Sequence, residues 1–160
     1  MIKDDTRQTI KFVTWVVIII VLLYLMFVAL FYQAGQPGRN ETQNVKQIAT
    51  SKTPITLVQA SYHLDREVNS YSVKGISKHN GTYYFIYLPG SKKGYLYPAK
   101  KGVSETKIRS EFNQKRTGGK INQVNLGWYK NKPVWEVTAK NAAGDYSYKL
   151  YEFKTGNFIG

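Results

Sequence analysis

The chain of 160 residues contains no cysteine. That absence excludes a disulfide framework, thiol catalysis, thiolate metal sites and a lipid-bearing cysteine anchor. Histidine is scarce as well, with two residues, and no H-x-x-x-H spacing occurs. Acidic residues are few, 10 Asp and Glu against 23 Lys and Arg, for a formal charge of +13. Those beyond the apolar run near the N-terminus are scattered, so no carboxylate cluster offers a metal cage. Glycine pairs such as Gly118-Gly119 lack the strand–turn–helix setting of a phosphate loop. No metal, no cofactor and no catalytic residue is expected.

Long apolar runs are equally rare, and the single one is decisive. "FVTWVVIIIVLLYLMFVALFY", residues 12–32, holds 21 residues without a charge. As a helix it spans roughly 30 Å, the thickness of a bilayer's hydrocarbon core. Trp15 lies near one end and Tyr32 at the other, where aromatic rings favour the interface. A cleaved signal peptide has a shorter apolar region and a small-x-small cleavage site, and "ALFYQAGQ" offers only a poor one. The run therefore reads as an uncleaved single-pass anchor. Lys3, Arg7 and Lys11 precede it, and Arg39, Lys46 and Lys52 come after it. Lys11 abuts the run, whereas Arg39 is seven positions beyond Tyr32. Residues 1–11 are accordingly expected as a cytoplasmic tail, and everything after residue 32 outside the cell membrane.

Residues 33–160 carry 20 Lys and Arg and 8 Asp and Glu, a formal charge of +12. In the cytoplasm such a balance would point to nucleic acid or anionic lipid. Outside a bacterial membrane it faces anionic headgroups and phosphate-rich wall polymers, so nucleic acid is not the expected partner. Residues 33–43, "QAGQPGRNETQ", read as a polar juxtamembrane spacer.

Beyond the spacer one pattern occurs twice, as residues 44–101 and 102–160. Each unit opens with a helix. Val45, Ile48 and Ala49 form the apolar stripe of the first, which ends before Pro54. In the second, Ser104 is a natural N-cap, Val103 and Ile108 have the spacing of a hydrophobic staple, and "TGG" at 117–119 is the stop. Strands come next: Val58, Ala60, Tyr62 and Leu64 alternate, as do Val124, Leu126 and Trp128. Val73 and Trp135 correspond, as do Gly81 and Gly144, and Gly94 and Gly156. The expected fold is α+β, an N-terminal transmembrane helix followed by two units, each a helix packed on an antiparallel meander. Each unit is too small to bury much core alone, so the two are expected to pack together. In "TYYFIYL" both strand faces are apolar, which predicts a strand covered on both sides.

Three short words invite an enzymatic reading. Ser104-Glu105-Thr106-Lys107 and Lys154-Thr155-Gly156 match the Ser-x-x-Lys and Lys-Thr-Gly motifs of serine transpeptidases, with Tyr129-Lys130-Asn131 between them. The families built on these motifs use a far larger two-lobed domain, and here each word has a local explanation. Ser104 caps a helix, Tyr129-Lys130-Asn131 enters a tight turn, and Lys154-Thr155-Gly156 turns between Phe153 and Phe158. Ser61, His63 and Asp65 alternate along one strand, which describes an exposed polar face rather than a converging triad. Of 13 tyrosines, 11 lie beyond residue 32. Most are expected in the core, and the remainder to form a basic–aromatic surface with Lys92, Lys93, Lys100 and Lys101.

The stretch "VNLGWYKNKPVWEVTAKNAAGDYSYKLYEFKTGNFIG" resembles the signature of the TseB-like, or YpmB-like, family of cell wall elongation regulators. "SYSVKG" and "NGTYYFIYLPGSKKG" match more loosely in the first unit. The resemblance implies one N-terminal anchor, tandem PepSY-like units outside a Gram-positive cell, and no catalysis. It also implies association with an elongation penicillin-binding protein or another cell-wall synthesis protein. An anionic wall polymer, lipid or peptide is the alternative partner, read from the charge. Modulation of a secreted peptidase is a third reading, from the broader PepSY resemblance.

Overall fold

The computed structural model describes residues 2–34, 36–114 and 119–160, with side chains over 8–33, 38–114 and 119–160. Residues up to Asn40 form one compact unit and Glu41–Gly160 another. Helix α1 (Ile2–Ala34) carries the charge-free run, and every described side chain on it from Gln8 onward is exposed. Among the described residues one helix is long and apolar enough to cross a membrane. So much exposed Ile, Leu, Val and Phe has its natural solvent in a bilayer, and the helix fits a single-pass anchor.

Helix α2 (Gln36–Lys52) takes in most of the stretch read as a polar spacer at 33–43, which is helical from Gln36 onward. Pro37 falls in the first turn, where no backbone N–H is needed. Gly38 costs only about 1 kcal/mol of helix propensity. The helix stops where expected. The Thr53 N–H and hydroxyl both close on the Ala49 carbonyl, at 3.2 and 2.6 Å, just before Pro54.

Strands β1 (Ile55–Asp65), β2 (Asn69–Ser77), β3 (Thr82–Leu88) and β4 (Lys93–Pro98) form an antiparallel meander in chain order. A 3-10 turn at Ala99–Lys101 leads to α3 (Glu105–Gln114). Strands β5 (Lys120–Tyr129), β6 (Lys132–Lys140) and β7 (Tyr146–Glu152) form the second meander. Its fourth member is only a returning segment, where Phe158 bridges Tyr151 and Ile159 and Gly160 pair with Leu150. Of the expected helix stop, Thr117 and Gly118 lie outside the described residues, and Gly119 has φ +121°.

The alternation along each strand sorts its side chains into layers. Helix α2 lays Val45 and Ala49 on one face of the first sheet, against Tyr71, Val73 and Phe85. Tyr62, Tyr84, Ile86 and Leu88 leave the opposite face and share one core with Ile108, Phe112, Leu126, Trp135, Val137 and Phe153. Strand β3 is thus covered on both sides, as "TYYFIYL" predicts. Trp135 is fully buried at the centre. Its ring meets Tyr62 and Tyr84 edge-on at 5.4 and 5.6 Å, and its Nε1–H donates to the Val103 carbonyl at 2.8 Å.

Polar bonds join the halves at the edge of the second sheet. The Ser70 hydroxyl accepts the Trp128 N–H at 3.0 Å, and the Ser72 hydroxyl donates to the Leu126 carbonyl at 3.0 Å. Two side chains from β2 thereby occupy backbone groups along the edge of β5 that would otherwise invite another strand. The approach is close enough that a Cβ at Gly127 would collide with Leu64 and Ser70.

Two landmarks of the duplication shift. Gly144 has φ +97°, but in the first unit Asn80, with φ 59°, takes the left-handed position in place of Gly81. Gly156 has φ +79°, but its supposed counterpart Gly94 is not among the positive-φ residues; Lys92, with φ 55°, takes the left-handed position instead. Gly94 serves a different purpose inside β4, where a Cβ would strike the Phe85 ring.

Candidate functional site

The three enzyme-like words take the local roles read from the sequence. The Ser104 hydroxyl accepts the Lys107 N–H at 3.3 Å, which makes it the N-cap of α3. The Lys107 ammonium turns toward Glu111, at 3.9 Å, one helical turn on. Lys130 and Asn131, with φ 45° and 61°, form the mirror-image turn that suits the twist of a two-residue hairpin. The Thr155 hydroxyl donates to Glu152 at 2.7 Å, and the Gly156 N–H donates to the Glu152 carbonyl at 2.8 Å. Ser61, His63 and Asp65 are exposed along β1. His63 pairs with Asn69 at 2.8 Å and stacks on Tyr71 at 4.4 Å.

The K-T-G turn nevertheless borders the most suggestive concavity. A cleft of about 310 Å³ lies between the end of the first meander and the second sheet. Tyr97 and Pro133 supply apolar walls above the buried Phe153, and Lys101, Lys132 and Lys154 stand around it with Glu152. Lys132 reaches Glu152 at 3.3 Å. The Thr155 hydroxyl first, and the Lys132 ammonium second, hold the Glu152 carboxyl below its ordinary range, so it stays ionised. With Glu152 balanced by Lys132, the cleft keeps an excess of two positive charges, on Lys101 and Lys154. Among the described residues Lys101 makes no ion pair. The sequence singles out Lys101 and Lys154 separately, but not Lys132 or Glu152. Only the meeting of three turns far apart in the chain brings them together.

A second polar junction is structural. The Tyr62 hydroxyl donates to Glu105 at 2.9 Å, and Arg109 holds the other carboxylate oxygen at 2.8 Å. Burial, then the negative charge of Glu105, pushes the Tyr62 hydroxyl far above its ordinary pKa, and the same two causes raise Tyr84. Arg66 forms an ion pair with Glu136, which is only 7 % exposed, and binds the first hairpin to the second sheet. Glu105 and Arg109 are one helical turn apart, but Tyr62–Glu105 and Arg66–Glu136 join distant segments and have no spacing signature.

Of the expected basic–aromatic surface, Lys92 lies beside the half-buried Tyr87 and Lys100 beside the half-buried Tyr83. The most exposed tyrosines beyond residue 40 are Tyr146 and Tyr148, 51 % and 54 % exposed on the outward face of β7. Lys140 lies over the first ring and Arg66 over the second, each at 5.2 Å. Tyr62, Tyr71, Tyr84 and Tyr151 are buried, in keeping with a mainly packing role.

Comparison with known proteins falls on the family that the sequence resembles. No protein-family model matches the chain. It is 28 % identical over 144 residues to "Probable cell wall elongation regulator TseB" of Bacillus subtilis (strain 168), covering 88 % of this chain and 89 % of that protein. The fold matches the solved structure of "YpmB protein from Bacillus subtilis" with a TM-score of 0.64 and 26 % identity, over 74 % of this chain and 93 % of the other. The resemblance thus holds both in sequence and in the arrangement of helices and sheets.

Proposed function

We propose that this protein is a membrane-anchored, non-catalytic regulator of peptidoglycan synthesis that acts by contact with an elongation penicillin-binding protein. Similarity along nearly the whole chain to a protein named as a probable cell wall elongation regulator carries the reading. The exposed apolar helix supports the tether, with residues 12–32 in the cell membrane, the N-terminus inside and the C-terminal domain outside. The local roles of Ser104, Lys107 and Thr155 support a scaffold: Ser104 holds a helix end, Thr155 a turn, and Lys107 pairs with Glu111 along the helix. PepSY-like units at 44–101 and 102–160 fit the repeated order of helix and meander.

Crosslinking the full-length protein in living cells tests this directly. Enrichment of a transpeptidase or another wall-synthesis protein is expected, and repeated recovery of none would overturn it. Protease added to intact protoplasts should digest the domain beyond residue 33, and its protection would reverse the assigned orientation.

A further inference from the structure

The two sheets end differently beyond their Tyr-rich strands. Strand β3 is paired along its outer edge by β4, from Tyr83 with Pro98 to Leu88 with Lys93. At the matching place in the second sheet the returning segment reaches only one end of β7. Glu152 donates its N–H to the Asn157 carbonyl at 2.9 Å, and Leu150 bonds with Ile159 and Gly160. Backbone groups of successive strand residues point to alternate edges, so Tyr146 and Tyr148 face outward as Leu150 and Glu152 do. Among the described residues nothing bonds to their outward N–H and carbonyl groups. Ser70 and Ser72 occupy the edge of β5, but this part of β7 has no such cover. An open edge of this kind takes a further strand, as β3 takes β4.

The residues around the opening select a second copy of this chain as that strand. An antiparallel β7 related by a two-fold axis through Ser147 sets Tyr146 opposite Tyr148 of the second copy, and Tyr148 opposite its Tyr146. Each is a hydrogen-bonded pair that exchanges both N–H···O bonds, so every open group is satisfied. The same register sets Asp145 of each copy opposite Lys149 of the other. Neither residue makes an ion pair among the described residues of one copy. Ser147 meets Ser147 on the axis. Its Oγ is the one buried side-chain polar atom among the described residues without a hydrogen-bond partner. A hydroxyl both donates and accepts, so it complements its own copy. Aromatic rings, opposite charges and paired hydroxyls are the cross-strand contacts that stabilise a sheet. A register displaced by two residues would instead face Tyr148 with itself and Ser147 with Lys149. We infer that two copies of this protein associate edge to edge through β7, antiparallel about Ser147, and join their second sheets into one. With one short strand pair, and with both copies strongly basic, the association is weak. It goes beyond the regulatory role, which rests on contact with a different protein, and does not depend on it.

The test uses the full-length protein in isolated cell membranes, where the cysteine-free chain lets single cysteines report proximity. Ser147→Cys creates a non-hydrogen-bonded pair on the axis, with Cα atoms about 4.5 Å apart and within disulfide reach. Tyr148→Cys lies about 6.6 Å out of register with its own copy, beyond that reach. Lys92→Cys is exposed in the first meander and reports random collision. Under mild oxidation Ser147→Cys should give about tenfold more disulfide-linked dimer than either control. In that background Asp145→Lys or Lys149→Asp should cut the yield about fivefold, and the two together should restore it. Damage to the fold would not give that restoration. Asp145→Cys mixed with Lys149→Cys should link in the same way, and keeps the test open if Ser147→Cys does not fold. Dimer no more abundant from the edge cysteines than from Lys92→Cys would overturn the inference. So would a charge swap as weak as its single variants, or edge cysteines that link chiefly to a different protein.

Discussion

Strand β3 buries Tyr84 and Ile86 toward the second sheet and Phe85 toward α2, whereas β7 buries Leu150 and Tyr151 but leaves Tyr146 and Tyr148 open. The two strands occupy matching places in units with the same succession of elements. What separates them is where each helix goes. Helix α2 covers the far side of the first sheet, while Ile108 and Phe112 of α3 join the shared core instead. Among the described residues the outward face of the second sheet therefore meets the tip of the first hairpin, through Leu64 and Arg66. A duplicated pattern need not give duplicated surfaces. One unit ends up internal on both sheet faces, and the other carries the exposed aromatics, the K-T-G turn and most of the cleft.

The sharpest way to break this comparison is to empty the shared core. Trp135→Ala should cost about 3–5 kcal/mol, because it removes the ring on which Tyr62 and Tyr84 both rest. Chemical denaturation should still show one transition for the Glu41–Gly160 unit, with both sheets lost together. Survival of the first meander after the second has melted would mean that the core is not shared.

Alkaline pH probes the same junction from the first sheet. Tyr62 and Tyr84 have folded pKa values above the ordinary 10.0. The stability they confer is complete below that value. It is lost as pH rises past it, because the unfolded chain then sheds protons that the fold retains. The decline should reach about 1.4 kcal/mol per pH unit for each tyrosine. Urea denaturation at several pH values would show it, and Tyr62→Phe should flatten the curve.

A smaller effect tests the edge of β5. Ser70→Ala leaves the buried Trp128 N–H without its acceptor and should cost about 1–3 kcal/mol. Hydrogen exchange at that amide should accelerate with it. Smallest of all, Tyr148→Ser should cost no more than about 1 kcal/mol, since that ring is more than half exposed and loses chiefly its contact with Arg66. A large loss there would mean that the outward face is better covered than its exposure indicates.

Local patterns in the sequence foretell the elements well. The staple and cap at Val103, Ser104 and Ile108, the Lys130-Asn131 turn and the two-faced β3 depend on neighbours a few residues apart. The helical form of the spacer from Gln36 is not legible because Gly and Pro signal a break on average, yet Pro37 falls where a helix tolerates it. The Gly94 correspondence fails because a glycine can be required by a neighbouring ring as well as by its own φ. The cleft, the Tyr62–Glu105 bond and the Arg66–Glu136 pair are hidden for a common reason. Each joins segments whose proximity is created by the packing of one sheet on another, and no spacing along the chain encodes it.

The central claim is that a tethered scaffold, and not a catalytic serine, supports wall growth. Complementation of cells lacking the protein tests it most directly, with elongation rate as the readout and protein level measured alongside. Ser104→Ala should restore elongation fully, losing only about 1 kcal/mol of helix capping, while the domain secreted without residues 1–32 should not. Failure of Ser104→Ala at normal protein level, or full rescue by the untethered domain, would contradict the account.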